Sequence, residues 1–149
     1  MTPRNPDFEN AVRASFARQA IMNLIGAELR TVEPGIVEIS LGYRPELTQQ
    51  NGYIHAGVLT TIADSACGYA AFSMMPAGAG VLSVEFKVNL LRPARGQSFL
   101  ARAEVVKAGR TLTVVRADVF GIEESAARAL VATMQGTMMC LMQVSEARP

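Results

Sequence analysis

The 149-residue chain holds one histidine, two cysteines and no tryptophan. A lone histidine and two cysteines without C-x-x-C spacing are too few ligands for a zinc site of the usual kind, so no metal is expected. Two cysteines are also too few for a disulfide framework. Cys67 and Cys140 are read as small apolar residues in a reducing compartment. Charge is scarce in both signs: 14 Lys+Arg face 13 Asp+Glu, for a net charge of +1. Without a basic excess there is no electrostatic case for nucleic acid as a partner. Residues 1–7 carry an acidic group and no apolar run, so no secretory signal is expected and the cytoplasm is the expected location.

Apolar residues are abundant, at 50%. That excludes disorder. It is also a high share for one small domain spanning residues 1–149, and points to a partner subunit covering part of the surface. Between Leu47 and Val84 the only formally charged residue is Asp64. The stretch is broken by Gly52, Gly57, Gly68, Pro76, Gly78 and Gly80. A central Asp costs about 2.5–3.5 kcal/mol in a membrane span, so a buried helix is expected and no membrane partner.

Periodicity organises the rest. Residues 1–26 read as one amphipathic helical segment. Asn5 is its cap, Pro6 its first residue, Phe8, Val12, Phe16, Ala20, Ile21, Leu24 and Ile25 its apolar stripe, and Gly26 its stop. Glu28–Val32 and Ile36–Tyr43 form a hairpin around Glu33-Pro34-Gly35, with Val37, Ile39 and Leu41 on one face. Residues 44–51 are a polar loop, and a helix of about five turns runs from near Ala56 to Met75. The period then becomes two: Leu82, Val84, Phe86, Val88 and Leu90 share one face of a half-buried strand. Strands follow over 98–107, 111–120 and 128–142, joined by short turns that make neighbours antiparallel, and 144–149 is a fraying tail. One antiparallel sheet must bury a face, and the apolar central helix is the object for it to wrap: an α+β domain.

Two positions carry candidate chemistry. Asp64, among Ile62, Ala63, Ala66 and Cys67, is either hydrogen-bonded structure or a working carboxylate. Ahead of it, Gln49-Gln50-Asn51-Gly52-Tyr53-Ile54-His55-Ala56-Gly57 sets polar and small residues where free helix N–H groups emerge. Those groups favour a developing negative charge, though plain capping by His55 is the simpler reading of the segment alone.

This run, with Ala63-Asp64-Ser65-Ala66 and Val84-Glu85-Phe86-Lys87-Val88-Asn89-Leu90-Leu91-Arg92-Pro93-Ala94, resembles the PaaI-type acyl-CoA thioesterases of the hotdog superfamily. The likeness covers roughly Tyr43 to Met142, including the spacing of nine from His55 to Asp64. It implies a hotdog fold, an antiparallel sheet wrapped around a long central helix and dimerised into one continuous sheet. It implies hydrolysis of an acyl-CoA thioester with no metal or redox cofactor, coenzyme A entering as part of the substrate. By the same resemblance, Asp64 is nucleophile or general base, and the His55-Ala56-Gly57 mouth offers backbone N–H to the thioester carbonyl. Gln49 stands where many members have Asn, and Ala56 where they have the first Gly. Ser83 matches a strand hydroxyl that helps place water.

Ala56 and Asp64 lie roughly 12–13 Å apart along one helix, so both reach one carbonyl only across a two-fold. A homodimer with composite sites, or a dimer of dimers, is expected. Arg92, Arg95, Lys107 and Arg110 are candidate contacts for the CoA phosphates. Ser65, Thr60 or Thr61 is expected to hydrogen-bond Asp64. Tyr69, Phe72, Met74 and Met75 are candidate acyl-pocket residues, for medium-chain or aryl groups. The competing readings are a hotdog hydratase and a non-catalytic acyl-CoA-binding module.

Overall fold

The computed structural model describes residues 1–142. The expected tail, 144–149, lies outside them. In chain order the elements are α1 (Phe8–Ala17), α2 (Ala20–Ile25), β1 (Ala27–Glu33), β2 (Ile36–Gly42), α3 (Ala56–Phe72), β3 (Ala79–Leu90), β4 (Ser98–Ala108), β5 (Leu112–Ile122) and β6 (Arg128–Met142). The six strands form one antiparallel sheet in the order β1-β2-β4-β5-β6-β3. The sheet curls around α3 in the hotdog α+β arrangement.

The composition of α3 explains why the sheet can close on it. Its Ala63, Ala66, Ala70 and Ala71 are fully buried, and so are Ile62 and Cys67. Small side chains let strands approach from several sides, while alternate residues of the strands fill the gap. Val37, Ile39 and Leu41 of β2, Phe99 and Ala101 of β4, and Val115 and Val119 of β5 all face this core at 1% exposure or less. The hairpin turn falls at Pro34-Gly35, where Gly35 takes φ +79°, a conformation glycine adopts without strain. α3 ends at Phe72, three residues short of the expected Met75, and is capped by Ser73. The buried Ser73 hydroxyl donates to the Ala70 carbonyl at 2.7 Å and accepts from the Gly35 N–H at 2.8 Å, tying helix end to hairpin turn.

Two expectations from periodicity need correction. The N-terminal segment is two helices. Asp7, rather than Asn5, sits at the cap of α1, and the Asn5 side-chain Oδ1 accepts from the Asp7 N–H at 3.0 Å. The first helix then closes at Arg18 and Gln19, whose N–H groups donate to Ser15 and Phe16, and Gln19 turns extended (φ −80°, ψ 95°). The chain restarts on a new axis that buries Met22 and Ile25 and leaves Ile21 and Leu24 outside, 42% and 71% exposed. Gly26 does end the segment, at φ +73°.

The second correction concerns β3. A β-bulge between Ser83 and Glu85 shifts its register against β6. Ser83 therefore lies opposite the buried Met138, and beyond the bulge Phe86, Val88 and Leu90 lie opposite Gly136, Met134 and Ala132, all on the α3 side. Strict alternation would have put Ser83 and Phe86 on opposite faces. Nor is the strand half-buried as expected: Leu82, Val84, Phe86 and Leu90 are 42–58% exposed, because β3 is a sheet edge with a neighbour on one side only.

Candidate active site

Asp64 lies midway along α3 on the side that meets β3. The bulge aims the Ser83 hydroxyl at it, donating to Asp64 Oδ1 at 2.7 Å, with Met138 Sδ 3.4 Å from Ser83 Oγ. The carboxylate is half-buried and opens into a cleft of about 300 Å³. The expected helical partners do not supply its hydrogen bond. Thr60 and Thr61 bond back to the Ala56 and Gly57 carbonyls at 2.9 and 2.8 Å, as hydroxyls in mid-helix commonly do. Ser65 donates across to Gln19 Oε1 at 3.2 Å. Burial, with the Asp64 charge adding to it, pushes the neighbouring Cys67 thiol up to about 12, so this cysteine is an inert core residue.

The mouth of α3 is a separate structure. His55 is the N-cap, and its Nδ1 accepts the Gly57 N–H at 2.8 Å. This leaves the imidazole proton on Nε2. It also engages Gly57, one of the two expected N–H donors. Among the described residues the Ala56 N–H makes no hydrogen bond, so the unengaged donor at the mouth belongs to Ala56. Gln49 folds back, its Oε1 accepting from the Asn51 N–H, while its own N–H reaches the Tyr53 carbonyl at 2.9 Å. Its side chain closes the loop and does not reach toward Asp64. None of His55, Ala56, Gly57 or Gln49 lines the Asp64 cleft.

Of the four candidate phosphate contacts, Arg92 and Arg95 come together. They line one cleft with Arg128 and Glu123, and Arg95 stacks 5.2 Å from the Tyr53 ring centre while donating to its hydroxyl at 2.8 Å. Lys107 and Arg110 sit at the opposite end of β4, Arg110 beside Arg4 and Met74. Met74 and Met75 are core residues, 5% and 1% exposed, and Phe72 packs partly buried against that core, so only Tyr69 of the expected acyl-pocket set lines the Asp64 cleft. Burial raises the Tyr69 phenol, a shift partly offset by Ser15 and Arg18.

Three residues that periodicity did not single out also line the cleft: Ser15, Arg18 and Gln19. The visible signal was the polar pair Arg18-Gln19 interrupting the stripe between Phe16 and Ala20, where the helix breaks. Among the described residues no cluster of three His, Cys, Asp or Glu side chains is placed to hold a metal ion. No helix there is long and apolar enough to cross a membrane.

Residues 51–126 match the family model described as the thioesterase superfamily. A relative from Saccharolobus solfataricus, provisionally named an esterase, is 30% identical over 104 residues, covering 70% of this chain and 69% of that protein. A solved structure of a thioesterase family protein from Silicibacter pomeroyi superposes with a TM-score of 0.89 at 51% identity, over 91% of this chain and 99% of that one. The E. coli PaaI protein from the phenylacetic acid degradation operon shares the fold, with a TM-score of 0.78 at 18% identity over 91% of this chain and 94% of that one.

Proposed function

The chain belongs to the thioesterase superfamily, and from that premise we propose that it hydrolyses acyl-CoA thioesters to the free acid and CoA. The observation that carries the reading is the Ser83–Asp64 pair at 2.7 Å, a carboxylate held ready at the edge of a cleft. Asp64 either attacks the thioester carbon or takes a proton from the water that does. The carbonyl oxygen, gaining charge, is received by the Ala56 N–H at the positive end of α3, with His55 Nε2–H beside it. The reading asks for no metal or redox cofactor, and CoA arrives as part of the substrate. Its setting is the cytoplasm, which keeps the two unpaired cysteines reduced.

Donor and carboxylate come from two copies of the chain. Eight residues of helix separate Ala56 from Asp64, about 12 Å of rise, and the mouth does not line the Asp64 cleft. The edge strand β3 supports a homodimer, because it offers an unpaired strand edge and exposed Leu82, Val84, Phe86 and Leu90 within reach of a second β3. Pairing there would join two sheets and bring each mouth toward the other copy's Asp64. A dimer of dimers is compatible with this arrangement. Arg92 and Arg95, with Arg128, are the CoA phosphate contacts in this reading.

The test is thiol release from a panel of acyl-CoAs by wild type, Asp64→Asn and Asp64→Ala. Wild type is expected to release CoA, and each variant to lose about 10²–10⁴-fold in turnover while keeping its circular dichroism and its elution as a dimer. Full activity in either variant would overturn the role of Asp64. Binding of CoA without release from any thioester would make the chain a binding module.

A further inference from the structure

Beyond Asp64 the cleft runs toward the C-terminal half of α3, away from the helix mouth. Gly68 follows Asp64 by one helical turn, and a side chain built there would meet no atom within 4 Å, so the missing Cβ is usable space. The opposite wall comes from the N-terminal helices, through Ser15, Arg18 and Gln19. At about 300 Å³ the cleft suits a short acyl group and is far too small for CoA itself.

Its lining is mixed, with polar surface slightly ahead of apolar. Val81 is the only aliphatic residue among those around it. The Tyr69 hydroxyl lies 3.4 Å from Ser15 Oγ, and Ser65 holds Gln19 by its oxygen, so the Gln19 side-chain nitrogen has no acceptor among the described residues. The Arg18 guanidinium makes one hydrogen bond, from Nη1 to the Ala14 carbonyl at 3.2 Å, and no ion pair among the described residues. A plain alkyl chain entering here would strip water from these groups and return no hydrogen bond to them. A carboxylate would meet the planar fork of Arg18 and the amide donor of Gln19. Asp64 stands at the near end, so the carboxylate is tolerated only at the end remote from the thioester.

We propose that this cleft selects short acyl groups bearing a terminal carboxylate, with Arg18 as the specificity-determining residue and Gln19 assisting. The proposal rests on the thioesterase reading above. It is tested by comparing glutaryl-CoA with pentanoyl-CoA, which have the same chain length and differ in the terminal carboxylate, in a thiol-release assay. The wild-type protein is expected to favour glutaryl-CoA in kcat/KM by about tenfold or more. Arg18→Gln should bring the ratio of the two kcat/KM values near one, and Arg18→Lys should restore part of it. Gly68→Leu, with the fold checked by circular dichroism, should slow both substrates by filling the cleft. A wild-type preference for pentanoyl-CoA, or a ratio that Arg18→Gln leaves unmoved, would overturn the proposal while leaving the thioesterase intact. Failure to hydrolyse any acyl-CoA would instead sink the thioesterase reading, and this proposal with it.

Discussion

The mouth of α3 closes its hydrogen bonds within itself. His55 meets Gly57 and Gln49 meets Asn51, each two residues away, and Thr60 and Thr61 each reach back four. The Asp64 cleft is assembled the opposite way. Ser83 reaches Asp64 from 19 residues downstream, Gln19 meets Ser65 from 46 upstream, and Ser15 meets Tyr69 across 54. A local motif of the first kind can form as soon as its helix does, and its geometry is protected from changes elsewhere. The cleft exists only once β3 has paired with its bulge and the N-terminal helices have docked. In the proposed reading, oxyanion chemistry thus sits on the robust half of the site, and substrate selection on the half that tertiary packing can tune.

The sharpest way to break this division is Ala56→Pro. Proline is tolerated at the first position of a helix, and His55 already holds the extended backbone (φ −62°, ψ 138°) that a following proline requires. The substitution removes the one unengaged N–H and little else. Turnover should fall by about 10²–10³-fold with unchanged thermal unfolding; a drop below tenfold would mean that the mouth does not bind the oxyanion. Mixing this variant with Asp64→Ala after joint refolding then tests where the halves meet. Composite sites return about a quarter of wild-type turnover, since half of the dimers are mixed and each carries one intact site. No recovery would place both halves in one chain. Ser83→Ala should cost about tenfold in kcat, the loss of one hydrogen bond to a charged group, with little change in stability.

On the purely structural side, Ser73→Ala leaves the Gly35 N–H buried without a partner. It should lower unfolding free energy in urea by about 1–3 kcal/mol with kcat unchanged. The smallest effect belongs to Glu104. Hydrogen bonds from Arg102 and then Arg116 hold its carboxyl below the ordinary 4.5. A carboxyl depressed in the folded state stabilises above its unfolded pKa and loses that contribution as pH falls through the folded value. Because the pair is largely solvated, Glu104→Gln should cost only about 0.2–1 kcal/mol at pH 7, and the gap should shrink in acid melts as pH falls through the lowered folded value.

Much of the fold was legible because it follows from neighbours in the chain. Gly26 stops a helix through its own left-handed backbone, Pro34-Gly35 turns a hairpin unaided, and His55 caps α3 by accepting from the Gly57 N–H two residues on. Asp64 stood out because no other formal charge occurs from Leu47 to Val84. The break at Arg18-Gln19 was marked only by that polar pair: either a straight helix or a bent one suits the stripe, and only docking onto α3 decides which apolar residues are covered. The bulge at Ser83 was hidden for the same reason. A period-two pattern reads identically with or without an inserted residue, while pairing with β6 fixes which side each residue faces.

The amino-acid order alone therefore marked most of the elements, the turn positions, the helix mouth and the isolated charge of Asp64, each through patterns spanning a few residues. Tertiary structure decided which hydroxyl serves Asp64 and which wall the cleft receives. Those outcomes depend on contacts between distant segments whose energies no local pattern encodes.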